Sequence, residues 1–144
     1  MKKLTVLRRL TWLQRGLVVE AFCLLRLTRA ASFWLPFRYL VPYLGAVQKE
    51  SPVTVNPSQE HLLKQVGWSV RSTSQYTPWV SNCMAQAMVA KFILRRRGIP
   101  STLYIGVSKT DELLAGHAWL RAGTKIITGG GALSRYKQVI RFGA

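Results

Sequence analysis

A regular spacing of apolar residues predicts a helix over residues 83–97. Ser81 or Asn82 can cap its start, because both side chains accept a hydrogen bond from a free backbone N–H. Three arginines crowd its last turn, where positive charge complements the helix dipole. Gly98 then fits the C′ position, and Pro100 prevents the helix from resuming. The apolar side of this helix consists of Ala87, Val89, Ala90, Ile93 and Leu94.

Cys83 is the first residue of this predicted helix. The free N–H groups and the dipole at a helix start favour a thiolate over a thiol, so the position suits a nucleophile. A free cysteine is more commonly a buried structural thiol. The polar pair Ser81 and Asn82 directly before Cys83 favours the reactive interpretation. Trp79 can wall a cleft at this point or anchor the core, and the two roles are compatible.

Downstream of this helix, strand-forming runs alternate with turns, which predicts an α+β fold with a small antiparallel sheet. The runs are 102–107, 113–122, 124–128 and a last one near 136–142, with a polar break at 108–112 and a glycine turn at 129–131. His117 is at the centre of the second run. A helix–strand–strand order can bring its imidazole over the helix start at Cys83, although a lone strand histidine is as often structural.

The first third of the chain is basic and apolar. Residues 3–31 are predicted to form one or two helices with lysines and arginines on the outer surface. The longest near-apolar run, 16–25, contains Glu20 and is shorter than the about 20 apolar residues that a bilayer requires. We favour a helix packed on the rest of the chain or on a partner over one that makes peripheral membrane contact. Cys23, between two apolar neighbours, is interpreted as a packing residue.

Residues 33–45 carry aromatic rings and two prolines, and they are expected to turn the chain and cover the core. An aromatic peptide-binding groove is the alternative for the same segment. Residues 48–55 are polar and read as a linker. This division predicts an N-terminal helical region over 1–47 and a second domain over 56–144.

The second domain is expected to open with a helix near Asn56. Pro57 suits its first position, and Gln59 completes a spacing like that of a capping box. Its apolar face comprises Leu62, Leu63, Val66 and Val70. His61 lies beside that face and is interpreted as a surface or half-buried residue, not a catalytic one.

The charge balance restricts the partners. The chain carries 21 Lys and Arg against five Asp and Glu, a formal net charge of +16. Such a charge favours nucleic acid, an acidic peptide or a membrane surface. A non-enzymatic basic nucleic-acid-binding module is therefore an alternative, but no recognised motif occurs, so we expect no specific nucleic acid. The two cysteines suggest neither a disulfide nor a metal cluster, and reduced thiols predict a cytoplasmic location.

Five short motifs occur in an order that is more specific than any one of them alone. Together they resemble the transglutaminase-like leader peptidases of bacterial lasso-peptide pathways. The resemblance is strong over residues 56–144 and concerns only general character in the N-terminal third. The motifs are Trp79-(x)3-Cys83, Arg97-Gly98-Ile99-Pro100, Ile105-Gly106-Val107, His117-Ala118-Trp119 and Thr128-Gly129-Gly130.

The resemblance implies a papain-like cysteine-protease core that needs no cofactor. It implies Cys83 as nucleophile and His117 as general base and acid, in a hydrolase that cleaves the leader from a ribosomal precursor peptide during lasso-peptide (antibiotic-type) maturation. It also implies a separate leader-recognition protein and a lasso cyclase as partners, for which the basic N-terminal third is a docking surface. Thioester chemistry leaves an acyltransferase of transglutaminase type as the alternative. The oxyanion is expected to be stabilised by the Cys83 backbone N–H and by a second donor among Gln75, Ser81 and Asn82.

One part of the family's pattern is missing. An Asp usually follows the His by about a dozen residues, but no acid occurs after Glu112. The group that orients His117 must then be a hydroxyl, an amide, a backbone carbonyl or water, and Thr128 is the nearest positional match. A Cys–His pair can work without a carboxylate, because a thiol is acidic enough to form an ion pair with imidazole.

Overall fold

The computed structural model describes residues 8–34, 36, 39, 41–52, 56–75, 83–110, 113–130 and 136–143. They form three long helices, one short helix and an antiparallel sheet. The helices are α1 (Trp12–Trp34), α2 (Val41–Leu44), α3 (Glu60–Ser74) and α4 (Cys83–Arg96), and a 3₁₀ turn, Pro57–Gln59, precedes α3. The strands are β1 (Ala46–Val47), β2 (Thr102–Thr110), β3 (Leu113–Ala122), β4 (Lys125–Thr128) and β5 (Lys137–Gly143). The α+β class predicted from the sequence is confirmed.

The sheet has the order β1-β5-β2-β3-β4, and every pair is antiparallel. Helix α4 lies across β2, β3 and β4, while α3 packs against β4. Helix α1 packs on α3 and α4. The helix that begins at Cys83 is therefore held between the sheet and the N-terminal helix.

The core lies between α4 and one face of the sheet. Alternation along β2 and β3 directs Leu103, Ala118 and Leu120 into this core, and all three side chains are buried. The five apolar residues predicted for the inner side of α4 are buried as well. Lys91 is also buried there, only 2% exposed. Its Nζ donates to the Ser101 carbonyl at 2.5 Å.

The end of α4 follows the predicted pattern. Gly98 has φ of 71°, a left-handed conformation that favours glycine. Its N–H donates to the Arg95 carbonyl and the next N–H, of Ile99, donates to the Leu94 carbonyl, both at 3.0 Å. These are the two bonds of a Schellman motif, which satisfies the carbonyls that the helix end leaves free.

Helix α1 ends three residues later than the one or two helices predicted over 3–31, and residues 3–7 of that prediction lie outside the described residues. Its start is set by Thr11 and Gln14, whose side chains bond each other's backbone N–H at 3.2 and 3.0 Å, a reciprocal capping box. Glu20 bridges to Arg96 at 2.6 Å and to Arg97 at 3.0 Å. The one acid in α1 thus ties it to the C-terminal turn of α4. The inner side of α1 carries Leu17, Ala21 and Leu25, which are fully buried.

Three expectations for the first 52 residues need correction. Cys23 is exposed, because it lies on the side of α1 that faces away from α3 and α4. Trp34, Tyr39 and Tyr43 are 84%, 53% and 59% exposed, so these aromatic rings do not cover the core. The polar residues that read as the start of a linker are attached to the sheet, since the Gln48 N–H donates to the Arg141 carbonyl at 2.7 Å and the Ser51 N–H donates to Thr102 Oγ1 at 2.8 Å.

The remaining elements match the predicted ones, with boundaries shifted by a few residues. Asn56 caps the 3₁₀ turn by accepting from the Ser58 N–H, so regular α3 starts three residues later than expected. His61 is exposed, as predicted. Strand β2 continues to Thr110 through the predicted polar break, because Lys109 and Thr110 pair with the start of β3. None of the described helices has the length and apolar character to cross a membrane.

Candidate active site

Cys83 is the first residue of α4, where the sequence placed it. Its side chain is half-buried and packs against the core cluster, and the thiol is free. The first four N–H groups of a helix have no partner within the helix. They can therefore serve a developing negative charge beside the thiol. Trp79, Ser81 and Asn82, the predicted cleft and oxyanion residues, lie outside the described residues.

His117 lies in the middle of β3, opposite Gly106 of β2. Its Nε2 is 2.7 Å from the carbonyl oxygen of Gly129, which directly follows β4. A carbonyl oxygen can only accept a hydrogen bond, so Nε2–H is the donor and carries the ring proton. The neutral imidazole then has its free lone pair on Nδ1. This hydrogen bond therefore leaves Nδ1 as the basic atom of the ring.

The position of that carbonyl depends on the absence of a side chain at Gly129. Its φ is 73°, in the region that favours glycine. An added Cβ would collide with the Ala118 carbonyl and come within 3.0 Å of Trp119. Glycine is the residue that allows β4 to end this close to β3 and to present its carbonyl to the imidazole.

Two aromatic rings stack on the imidazole. The Tyr136 ring is 4.8 Å away with an interplanar angle of 28°, and the Trp119 ring is 6.0 Å away at 24°. Trp119 itself stacks on Tyr104 at 5.5 Å. Gly106 makes room for this arrangement, since a Cβ there would lie 2.8 Å from the Trp119 ring. Stacking and the Gly129 bond together fix the orientation of His117.

Polar groups hold the Tyr104 end of the aromatic stack in place. Tyr104 donates its hydroxyl hydrogen to Glu50 Oε1 at 2.9 Å, and Arg121 Nε donates to the same hydroxyl at 3.0 Å. Arg121 also donates to the Ser51 carbonyl at 3.0 Å. The segment that carries Glu50 and Ser51 therefore helps to position the ring system next to His117.

The predicted orienting residue, Thr128, does not contact the imidazole. Its side chain is only 1% exposed, and among the described residues its hydroxyl has no hydrogen-bond partner. The orienting contact is shifted by one residue, to the Gly129 backbone, because the chain turns there at positive φ. A backbone carbonyl was among the groups left open by the sequence. Tyr136 had no sequence signal, since its contact depends on how β5 pairs with β2.

The thiol and the imidazole approach the sheet from different sides. Ala118 and Leu120 face α4, whereas His117 shares the opposite face of β3 with Trp119. Among the described residues, no hydrogen bond joins Cys83 to His117; the polar contact of the ring is to Gly129. That contact places the ring beside the end of β4, where the outermost strand stops. The described structure does not bring the Cys83 thiol and the His117 ring together, so the Cys83–His117 pair stays a prediction.

Gln75, also predicted as a donor to the oxyanion, is the C-cap residue of α3. It is exposed, and its backbone N–H bonds the Ser72 carbonyl at 3.3 Å. Its side chain as an oxyanion donor also remains a prediction. Within the described ranges, no group of three His, Cys, Asp or Glu side chains could hold a metal ion.

Comparison with known proteins gives one match. A family model described as "Transglutaminase-like superfamily" matches residues 25–141. The match begins within α1 and ends within β5, so it includes both Cys83 and His117. No curated protein and no solved structure matches the chain.

Proposed function

The chain belongs to the transglutaminase-like superfamily, whose members are usually cysteine-dependent enzymes, and we propose that it is a cysteine peptidase that removes the leader from a lasso precursor peptide. The observation that carries the mechanism is the hydrogen bond from His117 Nε2–H to the Gly129 carbonyl. It assigns the proton to one ring nitrogen and leaves the other as the base. Cys83, at the start of α4, is the nucleophile that such a base would serve.

The reaction uses these two groups in sequence. His117 Nδ1 removes the Cys83 proton, and the thiolate attacks the scissile carbonyl. Backbone N–H groups at the start of α4 stabilise the oxyanion, with a second donor from Gln75, Ser81 or Asn82. The imidazolium then gives its proton to the leaving amine, and a thioester remains on Cys83. Water, deprotonated by Nδ1, hydrolyses this thioester and restores the free thiol.

Gly129 has the role that an Asp has in the usual pattern, but only in part. Its carbonyl fixes the ring orientation and the tautomer, as a carboxylate does. A neutral carbonyl carries no full charge to stabilise the imidazolium. We therefore expect a working dyad whose turnover is lower than that of a triad.

The assignment of substrate and partners is supported by the five motifs that resemble the lasso leader peptidases. They imply that a separate leader-recognition protein delivers the precursor and that a cyclase takes the core peptide. The formal charge of +16 is compatible with an acidic partner or precursor segment. Hydrolysis and acyl transfer share the Cys83 thioester, so both outcomes require a test.

The test combines the purified chain with a precursor peptide and a leader-recognition protein encoded beside its gene, and analyses the products by mass spectrometry. A leader with a free carboxyl end and an intact core peptide are expected. The same reaction with added methylamine separates the classes, because an acyltransferase would give the leader methylamide. Uncleaved precursor in the presence of the recognition protein would contradict the peptidase proposal.

A further inference from the structure

The outward side of α1 carries a continuous apolar stripe. All six of its residues are exposed, and successive members are three, four or seven residues apart, so they lie on one side of the helix. They are Trp12, Val19, Cys23, Leu27, Ala30 and Trp34. Four of them are exposed to an unusual extent for apolar side chains: Trp12 by 85%, Val19 by 63%, Leu27 by 63% and Trp34 by 84%. No charged residue lies within this outer stripe. The opposite side of α1 is buried in the core, so the stripe is a second apolar side of the same helix. A patch of this kind marks an interaction surface.

The chemistry around the outer stripe indicates what covers it. Arg26 and Arg29 lie along one flank of the stripe, and Arg15 on the same flank has its guanidinium 5.1 Å from the centre of the Trp12 ring. The only acid of α1, Glu20, is directed to the other side and bonds Arg96 and Arg97. The stripe is therefore bordered by arginines on one flank and by Glu20 with its two arginine partners on the other, which leaves the border net positive. Tryptophan stands at both ends, and its ring prefers the boundary between an apolar and an aqueous phase.

A groove beside the stripe has the same character. It has a volume of about 600 Å³ and lies between α1, α2 and α4. Leu24, Leu27, Met88 and Phe92 line it together with Arg95, whose guanidinium donates to the Tyr43 carbonyl at 2.8 Å. Leu27 belongs both to the groove and to the outer stripe. The apolar surface thus continues from the helix into a cleft whose volume can take a hydrocarbon chain.

We propose that α1 lies flat in the interface of a membrane that contains anionic phospholipids, with the outer stripe among the acyl chains and the flanking arginines at the phosphates. A helix of 23 residues with an apolar side, a basic border and terminal tryptophans has the features of an interfacial helix. None of the described helices could cross a membrane, so the contact is peripheral. The inference concerns a surface remote from His117 and does not rest on the proposed peptidase activity.

Binding is measured by flotation of the full chain with vesicles of phosphatidylglycerol and phosphatidylcholine, and with vesicles of phosphatidylcholine alone. The wild type is expected to float with the first and to remain unbound with the second. The double variant Val19→Asp, Leu27→Asp should lower the partition coefficient by at least ~100-fold, since it places two carboxylates in the acyl region. Arg26→Gln with Arg29→Gln should lower it about fivefold for each charge removed.

The matched control is Val139→Asp, which alters a 56% exposed valine on β5, away from α1. It should bind as the wild type does, and circular dichroism should show that all variants keep the fold. A fluorophore on Cys23, in the middle of the stripe, should shift to the blue with anionic vesicles in a Cys83→Ala background. The same label on Gln138→Cys, in a chain that lacks both native thiols, should not shift.

Two results would overturn the proposal. One is equal flotation of the wild type and of the Val19→Asp, Leu27→Asp variant. The other is a wild type that does not bind the anionic vesicles. If that wild type sediments as a dimer and Leu27→Asp converts it to a monomer, a second copy of the chain covers the stripe instead.

Discussion

The two halves of the candidate site are built in different ways. Cys83 owes its position to one helix, whose start, inner side and end all have local sequence signals. His117 owes its position to partners from three other places in the chain: a carbonyl at Gly129, a ring at Tyr136 and a ring stack that continues to Tyr104. The nucleophile is thus a local feature, whereas the orientation of the base is a tertiary one.

This difference determines how each half should respond to mutation. Changes at Cys83 act through the thiol itself, because the core and α1 hold the rest of the helix along its length. Changes near His117 act through its neighbours, because the ring keeps its tautomer and direction only while they hold it. The predictions below separate the two halves, from the largest expected effect to the smallest.

Replacing Cys83 by Ala should abolish cleavage of the precursor, while the thermal unfolding midpoint changes little. The change removes one sulfur from a half-buried helix start. Cys23→Ala is the matched control, because this exposed thiol lies on α1. It should retain full cleavage. If Cys23→Ala loses activity and Cys83→Ala keeps it, the nucleophile has been assigned to the wrong helix.

Gly129→Ala should lower kcat by about tenfold or more, roughly 1.4 kcal/mol of barrier. The new methyl group would collide with the Ala118 carbonyl at a φ of 73°, and the carbonyl that holds His117 would move. Gly130→Ala is the control, since the nearest atom to its Cβ is the exposed Ile126 side chain at 3.2 Å. Single-turnover rates should separate the two variants. Equal rates would show that the Gly129 carbonyl does not orient the base.

The pH dependence of the unfolding free energy tests the burial of Lys91 in α4, the helix that begins at Cys83. Burial, and to a smaller extent the nearby Arg95, lowers the pKa of Lys91 from 10.5 to about 8. Between these values the unfolded chain holds more protons than the folded one, so stability should increase as the pH rises from about 8 toward 10.5. The gain should reach about 3 kcal/mol. Urea unfolding across this range measures it.

Lys91→Met is the comparison for that titration, because it keeps a long side chain without the ammonium group. It should flatten the pH dependence that the wild type shows. A wild type and a Lys91→Met variant with the same slope would mean that Lys91 is solvated in the folded chain.

Thr128→Val should leave the single-turnover rate unchanged. The Thr128 hydroxyl is buried with no partner in the described part of the chain, so its removal takes nothing from His117. Stability should stay the same or rise by about 1 kcal/mol, since an unsatisfied buried hydroxyl is costly. A clear fall in rate would restore Thr128 to the orienting role that the sequence suggested.

The comparison also explains which features could be predicted from the sequence. The end of α4 follows from a glycine that acts within one turn, and the alternating strands β3 and β4 follow from local patterns as well. The partners of His117 could not be found in this way. They depend on the register of β3 with β4, on the positive φ at Gly129 and on the pairing that brings Tyr136 near. The exposure of Cys23 was missed because an apolar neighbourhood in sequence does not tell which side of a helix is covered.

The central claim is that His117 acts on Cys83. Its most direct test is the alkylation rate of Cys83 by iodoacetamide at neutral pH in a Cys23→Ala chain, with His117 present or replaced by Ala. The reaction requires the thiolate, so loss of the base should slow it about tenfold. The rate at Cys23 in a Cys83→Ala chain should not respond to His117→Ala. Equal alkylation of Cys83 with and without His117 would contradict the dyad.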